Sequence, residues 1–366
     1  MKSPTVKHTN APALSAIAGK ISPQRGLSLI EMMISITIGL LLLVALSSLF
    51  VNQSKTRAEL DKSNRMIDNG RYALEVLTDN LSLAGFYGEY DFSSGAPPIP
   101  AALPDPCTTS AADISAALQL AVQGYDAATK DSQIAGPPCG YTYTAGSDLS
   151  LKQGSDILVI RRVSTATPIT TVAAAPLAGT HYLQASLCQL DAVPYIVSTT
   201  PADFTLRRCT SNGTTLADLR NFMVEVYFVS PNNTSTDSIP TLKRRELDPT
   251  SHQFVTTPLV EGIEYMQVEY GLDDPTMDTN KDGVVGLDGE PDNYTATPAL
   301  ADWPNVASVK MNILARNTEA TKGYTDTKTY TLGSAGTFGP FNDNFKRHAY
   351  TKFIRLINPA GRREIP

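Results

Sequence analysis

Residues 27–51 are apolar around the whole helical circumference, and Glu31 is the one charged position among them. Beyond residue 51 the apolar positions narrow to a stripe of Leu60, Met66, Ile67, Tyr72, Leu74, Leu77, Leu81 and Ala84, with Lys, Asp and Arg between them. That spacing follows the 3.6-residue period of a helix with one packed face. Gly85 is placed to end it. The pattern predicts one helix of about 55 residues, apolar all round in its first half and amphipathic over residues 52–88. The stretch "GAPPIPAALPDPC" follows, and Pro97, Pro98, Pro100, Pro104 and Pro106 exclude both helix and ladder there. Strand-like runs then appear at residues 156–163, 181–187, 222–229, 263–272, 308–315 and 348–356. Their alternation and β-branched content predict an antiparallel sheet with one face on the helix. The expected class is α+β: a long N-terminal helix, then a β-rich head over residues 89–366 with a large loop and strand insertion at about residues 95–220.

A helix over residues 27–51, at about 1.5 Å per residue, is long enough to span a hydrocarbon core of about 30 Å with some tilt. Lys20 and Arg25 precede it, so the N-terminus is expected in the cytoplasm and the bulk of the chain outside. Two plain readings of this segment are a signal peptide cut near residues 45–47 and a simple single-span anchor. The apolar core is longer than a signal peptide's, and an anchor leaves the carboxylate of Glu31 and the Gly26-Leu27 junction unexplained.

The 366 residues carry a formal net charge of −6, and residues 1–26 hold four basic side chains and no acid, so the remainder is more acidic still. No dense basic stripe lies outside that leader, which argues against nucleic acid as a partner. Cys107, Cys139, Cys188 and Cys209 all follow the apolar segment. An even count in an exported domain suggests disulfides, for which three connectivities exist. Neighbour pairing, Cys107–Cys139 and Cys188–Cys209, is the simplest, and buried free thiols are the alternative. No C-x-x-C occurs, so a zinc ribbon is not expected.

The stretch "RGLSLIEMMISITIGLLLLVAL" resembles the class III signal of type IV prepilins and pseudopilins. That pattern joins a basic leader ending in Gly to an apolar first mature residue, a Glu at the fifth mature position and a long apolar helix. With Leu27 as the first mature residue, Glu31 is the fifth; Leu in place of the commoner Phe is a mild departure. The resemblance implies cleavage between Gly26 and Leu27 by a prepilin peptidase and methylation of the new N-terminus at Leu27. It also implies that Glu31 is an assembly contact, pairing with an α-ammonium when subunits join a filament, since a buried charge is tolerable only when paired. Further on, "GRYALEVLTDNLSLAGFYG", "VEYGLDD", "WPNVASVKMNILAR" and "FIRLINPAGRR" resemble stretches of PilW-type minor pilins of type IV pilus assembly. These matches cover both ends of the chain and leave residues 95–220 almost unconstrained.

One candidate metal site stands out. In "DTNKDGVVGLDGEPD" the spacing of Asp278, Asn280 and Asp282, then Gly283, matches the first half of an EF-hand calcium loop, with the Val284 carbonyl as a further ligand. The twelfth position is Gly289 instead of Glu, so Asp288, Glu290, Asp273 or Asp274 would have to complete the shell. A solvated acidic turn without metal is the competing reading. Enzymatic signals are missing: there is no G-x-S-x-G, H-E-x-x-H, Walker loop or G-x-G-x-x-G. His8, His181, His252 and His348 are widely spaced, and Trp303 reads as a core or loop anchor. The basic residues Lys346, Arg347, Lys352, Arg355, Arg362 and Arg363 read as a solvated strand face more than as a dock for an acidic partner.

The resemblance thus implies a non-enzymatic minor pilin that helps initiate pilus assembly, sits in the inner membrane before incorporation and lies near the fibre tip afterwards. The implied partners are the prepilin peptidase, other minor pilins, the major pilin and a tip adhesin. A type II secretion minor pseudopilin, and a membrane-tethered adhesin or binding protein using the insertion, are the two alternatives.

Overall fold

A computed structural model describes residues 26–92, 95–144, 146–170, 179–209, 215–248, 251–277, 283 and 285–364. The chain falls into two compact units, Met1–Arg57 and Ala58–Pro366. Helix α1, Leu29–Ser82, contributes to both.

In the first unit the side chains of residues 27–51 are almost all exposed, Leu27 at 80% and Phe50 at 71% among them. α1 is the one helix among the described residues long and apolar enough to cross a membrane. An apolar surface on every side suits lipid or other helices, because water penalises it.

In the second unit α1 buries Met66, Gly70, Ala73, Leu74, Leu77 and Leu81, a stripe at spacings of three and four. Leu60 and Tyr72, expected on that stripe, are instead 56% and 54% exposed. The turn of the helix carries both away from the line that runs through Met66 and Ala73. Gly70 is required by packing: a Cβ there would come within 2.3 Å of the Tyr350 ring. The helix ends three residues before Gly85, whose positive φ of 69° and N–H bond to the Arg161 carbonyl (2.8 Å) turn the chain away.

After α1 come α2 (Ala111–Ala116), β1 (Val122–Tyr125), β2 (Ile157–Val163), β3 (Tyr182–Ala185), β4 (Tyr195–Ser198), β5 (Leu219–Ser230), β6 (Thr241–Leu247), β7 (Phe254–Glu261) and β8 (Ile263–Leu272). They are followed by β9 (Asn293–Thr295), β10 (Val306–Arg316), β11 (Tyr330–Thr331), β12 (Thr337–Phe338), β13 (Arg347–Arg355) and α3 (Ile357–Gly361). All six strand-like runs of the sequence are strands. The single sheet expected from them is two sheets and a ribbon. One sheet has seven strands in the order β1-β2-β5-β3-β4, with β6 also on β5 and β7 on β6. The second has four in the order β13-β10-β8-β9, and β11 pairs β12. Every pairing between named strands is antiparallel. Strand β5 branches, since β3 pairs its start at Leu219, Arg220 and Asn221 while β6 pairs its end from Glu225 to Ser230.

Two cores result. The first joins the α1 stripe to Met266, Val268, Val309, Met311 and Ile313 of the four-stranded sheet, and to Leu158, Ile160, Tyr227 and Val229 of the other. The second packs the opposite face of β2 and β5, Ile157, Val159, Val224, Val226 and Phe228, against Tyr87, Tyr90, Ile114, Leu118 and Tyr141. β2 is therefore buried on both faces along its whole length. Between the sheets, the Asp156 carboxylate accepts the amides of Ala127 and Val268, each at 2.8 Å, and Gln267 donates to the carbonyls of Ala127 (3.2 Å) and Gly154 (3.0 Å). These buried bonds satisfy backbone groups that the gap between sheets would otherwise strand.

Candidate functional site

The site begins at the junction that the apolar pattern singles out. Gly26, Leu27 and Ser28 lie before the first turn of α1, and no atom lies within 4 Å of a Cβ built on Gly26. Residues 1–25, with His8 and the basic leader, lie outside the described residues. Ser28 and Glu31 bond reciprocally: the Ser28 amide donates to Glu31 Oε2 at 2.9 Å, and the Glu31 amide donates to Ser28 Oγ at 3.2 Å. This is a capping box, which satisfies two amide donors at the helix start and places an anion against its positive dipole end. The Ser35 hydroxyl returns to the Glu31 carbonyl at 2.7 Å. Glu31 is thus turned back toward the N-terminus and held one residue from Leu27. The sequence reading missed Ser28, although the S-x-x-E spacing before an apolar run was there to find it. The same contact changes how Glu31 reads: in the unassembled chain its carboxylate already has a partner.

The candidate calcium turn is only partly in view. Asp278, Asn280, Asp282 and Val284 lie outside the described residues. Of the acids expected to complete the shell, Asp273 is fully buried and takes the Gly289 amide (3.0 Å), the Asp288 amide (3.3 Å) and Arg363 (3.2 Å). Asp288 accepts the Glu290 amide at 2.8 Å, and Asp274 accepts from the amide and hydroxyl of Thr276. These bonds build a turn through backbone donors and one guanidinium.

Cys107 and Cys139 form a disulfide, with the Asp105 carboxylate accepting the Cys107 amide (2.9 Å) and the Cys139 amide (3.2 Å). These three residues are the one cluster of metal-type ligands among the described residues, and their sulfurs are consumed by the cross-link. Cys188 and Cys209 are separate thiols, the first buried and the second exposed. The second neighbour pair is therefore unbonded here.

Most of the C-terminal basic residues find partners within the head, while Lys352 and Arg355 stay exposed. Arg347 reaches Glu264 (2.6 Å), Asp326 (2.9 Å) and Asp343 (2.6 Å); Lys346 reaches Glu59 (3.4 Å); and Arg363 reaches Asp273. Arg355 pairs with Glu364 and Glu290, and Arg362 stacks on Phe92 at 4.6 Å. The expected solvated strand face holds for Lys352 and Arg355, which are exposed, while Lys346, Arg347, Arg362 and Arg363 instead clasp carboxylates or a ring, most of them distant in sequence. Trp303 is buried edge-on against Tyr270 at 4.7 Å, as a core anchor. His181 bonds the Thr109 carbonyl (3.0 Å) and His348 packs edge-on against Tyr350, and none of His181, His252 and His348 belongs to a cluster of metal-type ligands among the described residues.

Residues 226–358, from within β5 into α3, match the family described as Type IV Pilus-assembly protein W, and residues 21–47 match the prokaryotic N-terminal methylation motif. No curated protein and no solved structure matches. Together the two matches support a PilW-type, pilin-like protein related to type IV pili, with an N-terminal signal and apolar helix that fit a membrane-anchored pilin.

Proposed function

We propose that this chain is a minor pilin, a structural subunit that helps initiate type IV pilus assembly and lies near the fibre tip. The observation that carries the reading is Glu31, fixed by Ser28 at the head of an exposed apolar helix five residues after Gly26. Before assembly the apolar first half of α1 is at home in the inner membrane, with the head on the outer side. Cleavage between Gly26 and Leu27 by the prepilin peptidase frees an α-ammonium at Leu27, which is then methylated. On leaving the bilayer, the same apolar surface is covered by the equivalent helices of other minor pilins and the major pilin, and Glu31 supplies the counter-charge for a neighbouring subunit's N-terminus. The head, with its exposed loops, is the part left to meet a tip adhesin.

The test is the mass of the N-terminus and the fate of a Gly26 variant. Wild-type protein should begin at methylated Leu27 and appear in the sheared-pilus fraction. Gly26→Val should retain the leader and stay in the membrane. A mature chain beginning at Ser48 would establish an ordinary signal peptide and end the reading. Capture by cross-linking of secretion pseudopilins instead of pilus subunits would assign the chain to type II secretion.

A further inference from the structure

The unbonded cysteines lie together in a part of the head that the pilus reading does not use. Leu187 and Arg208 form a parallel bridge, with the Leu187 amide donating to the Arg207 carbonyl (3.1 Å) and the Cys209 amide to the Leu187 carbonyl (3.4 Å). Cys188 and Cys209 each stand one residue beyond that bridge, so they occupy matching positions on the same side of adjacent extended segments. Paired segments run about 4.8 Å apart, inside the Cα separation of roughly 4.4–6.8 Å that a disulfide needs. Both line one open cleft with Ser186, Leu187, Gln189 and Asp191.

The surroundings favour exchange. The neighbouring Cys209 thiol and the nearby Leu190 backbone lower the Cys188 thiol below its ordinary range, while the Cys209 thiol, facing Cys188, is raised. The thiolate is the attacking form, and a neighbouring thiol of higher pKa suits the resolving part. Asp191 holds the frame independently, accepting from Ser186 Oγ, the Arg207 amide and Arg207 Nε, each at 2.8 Å. The two thiols therefore stay in register without the bond. Cys107–Cys139 differs, since Cys139 packs within the second apolar core, whereas Cys188, equally little exposed, borders the open cleft with the exposed Cys209.

We propose that Cys188 and Cys209 form an accessible dithiol–disulfide site that exchanges with an external disulfide donor, separate from the structural Cys107–Cys139 bond. The Cys188 thiolate, its proton lost to water, attacks one sulfur of the donor; the donor bond breaks and its second sulfur leaves as a thiolate. Cys209 then loses its proton and attacks Cys188 in the mixed disulfide, and the donor departs as a dithiol carrying two electrons. The closed bond ties the loop after β3 to the segment that begins at Leu206.

The test uses the full chain in detergent, equilibrated with glutathione buffers of graded oxidation, then alkylated natively and mapped without reduction. Oxidised buffer should abolish alkylation at both Cys188 and Cys209 and yield a linked peptide pair. Reduced glutathione should restore both while Cys107–Cys139 persists. Cys209→Ser should trap one glutathione on Cys188, and Cys188→Ser should trap it more slowly on Cys209. Two thiols still alkylatable in the most oxidised buffer, or crossed links to Cys107 or Cys139, would overturn the proposal. None of these readouts depends on pilus assembly.

Discussion

Glu31 makes one contact in the chain itself and a second, of different physics, under the proposed function, and three substitutions separate them. As a cap it exchanges hydrogen bonds with Ser28 at 2.9 and 3.2 Å. Losing such a cap costs about 1 kcal/mol, a factor of roughly five. As a counter-ion in an assembled, water-free bundle it offsets a buried ammonium, and removing one partner of a buried pair costs about 3–5 kcal/mol, on the order of a hundredfold or more. Glu31→Gln keeps an acceptor for the Ser28 amide and loses the charge. Ser28→Ala keeps the charge and loses one capping bond, and Glu31→Ala loses both functions. If charge pairing governs assembly, Gln and Ala should both fall by the larger factor and Ser28→Ala should stay within about fivefold of wild type. The assay is the amount of processed protein in sheared pili divided by that in membranes. Membrane levels should not fall in the Glu31 variants, since an acid near a spanning helix's centre costs about 2.5–3.5 kcal/mol to insert and its removal lifts part of such a penalty. Normal entry of Glu31→Gln into pili, with Ser28→Ala excluded, would refute charge pairing and leave capping as the whole role.

Arg347→Met should destabilise the head by about 3 kcal/mol in urea unfolding, because it leaves buried Asp326 with hydroxyl and amide donors but no cation and Glu264 with Arg316 alone; a change under about 1 kcal/mol, the scale of an exposed pair, would count against that network. Tyr87 is buried, its hydroxyl has no partner among the described residues, and burial pushes its pKa up to about 12. The folded state thus keeps a proton that the unfolded chain releases near pH 10, so stability is intact below pH 10 and falls by about 2–3 kcal/mol as pH rises toward 12. Tyr87→Phe should remove that part of the alkaline loss at little cost near pH 7; an unchanged alkaline slope would contradict the burial argument. For the acidic turn, Asp278→Ala with Asp282→Ala should bring the melting temperature in calcium down to its value in chelator. Identical wild-type melting curves in calcium and in chelator would remove the metal expectation.

What could be read from the sequence follows the range of each interaction. The long helix was legible because its pattern is local: an apolar surface all round, then Met66, Leu74, Leu77 and Leu81 at helical spacing. β8 was legible because its ten residues carry their own strand pattern. β1, β4 and β9 were not, since strands of three or four residues exist through their partners β2, β3 and β8. β6 and β7 were hidden by composition. "TLKRREL" is too charged to read as a strand, and Pro258 interrupts β7, which tolerates it as an edge paired only to β6.

The inward turn of Arg347 follows from the same limit. Arg347 is neutralised by Glu264, 83 residues away, and by Asp326, 21 residues away. No local pattern distinguishes such a residue from a solvated one. Glu31 is the opposite case: its partner Ser28 is three residues away, so both belong to one turn of chain. An assembly contact that must be released from one partner and taken up by another benefits from a weak local hold. A cap of about 1 kcal/mol holds the carboxylate at the head of the apolar helix, and under the proposed function it would yield to a buried ammonium whose pairing is worth several times more. Under the proposed function, Ser28 would keep the carboxylate in place until a neighbouring subunit's N-terminus arrives, and the difference between the two energies would drive the exchange.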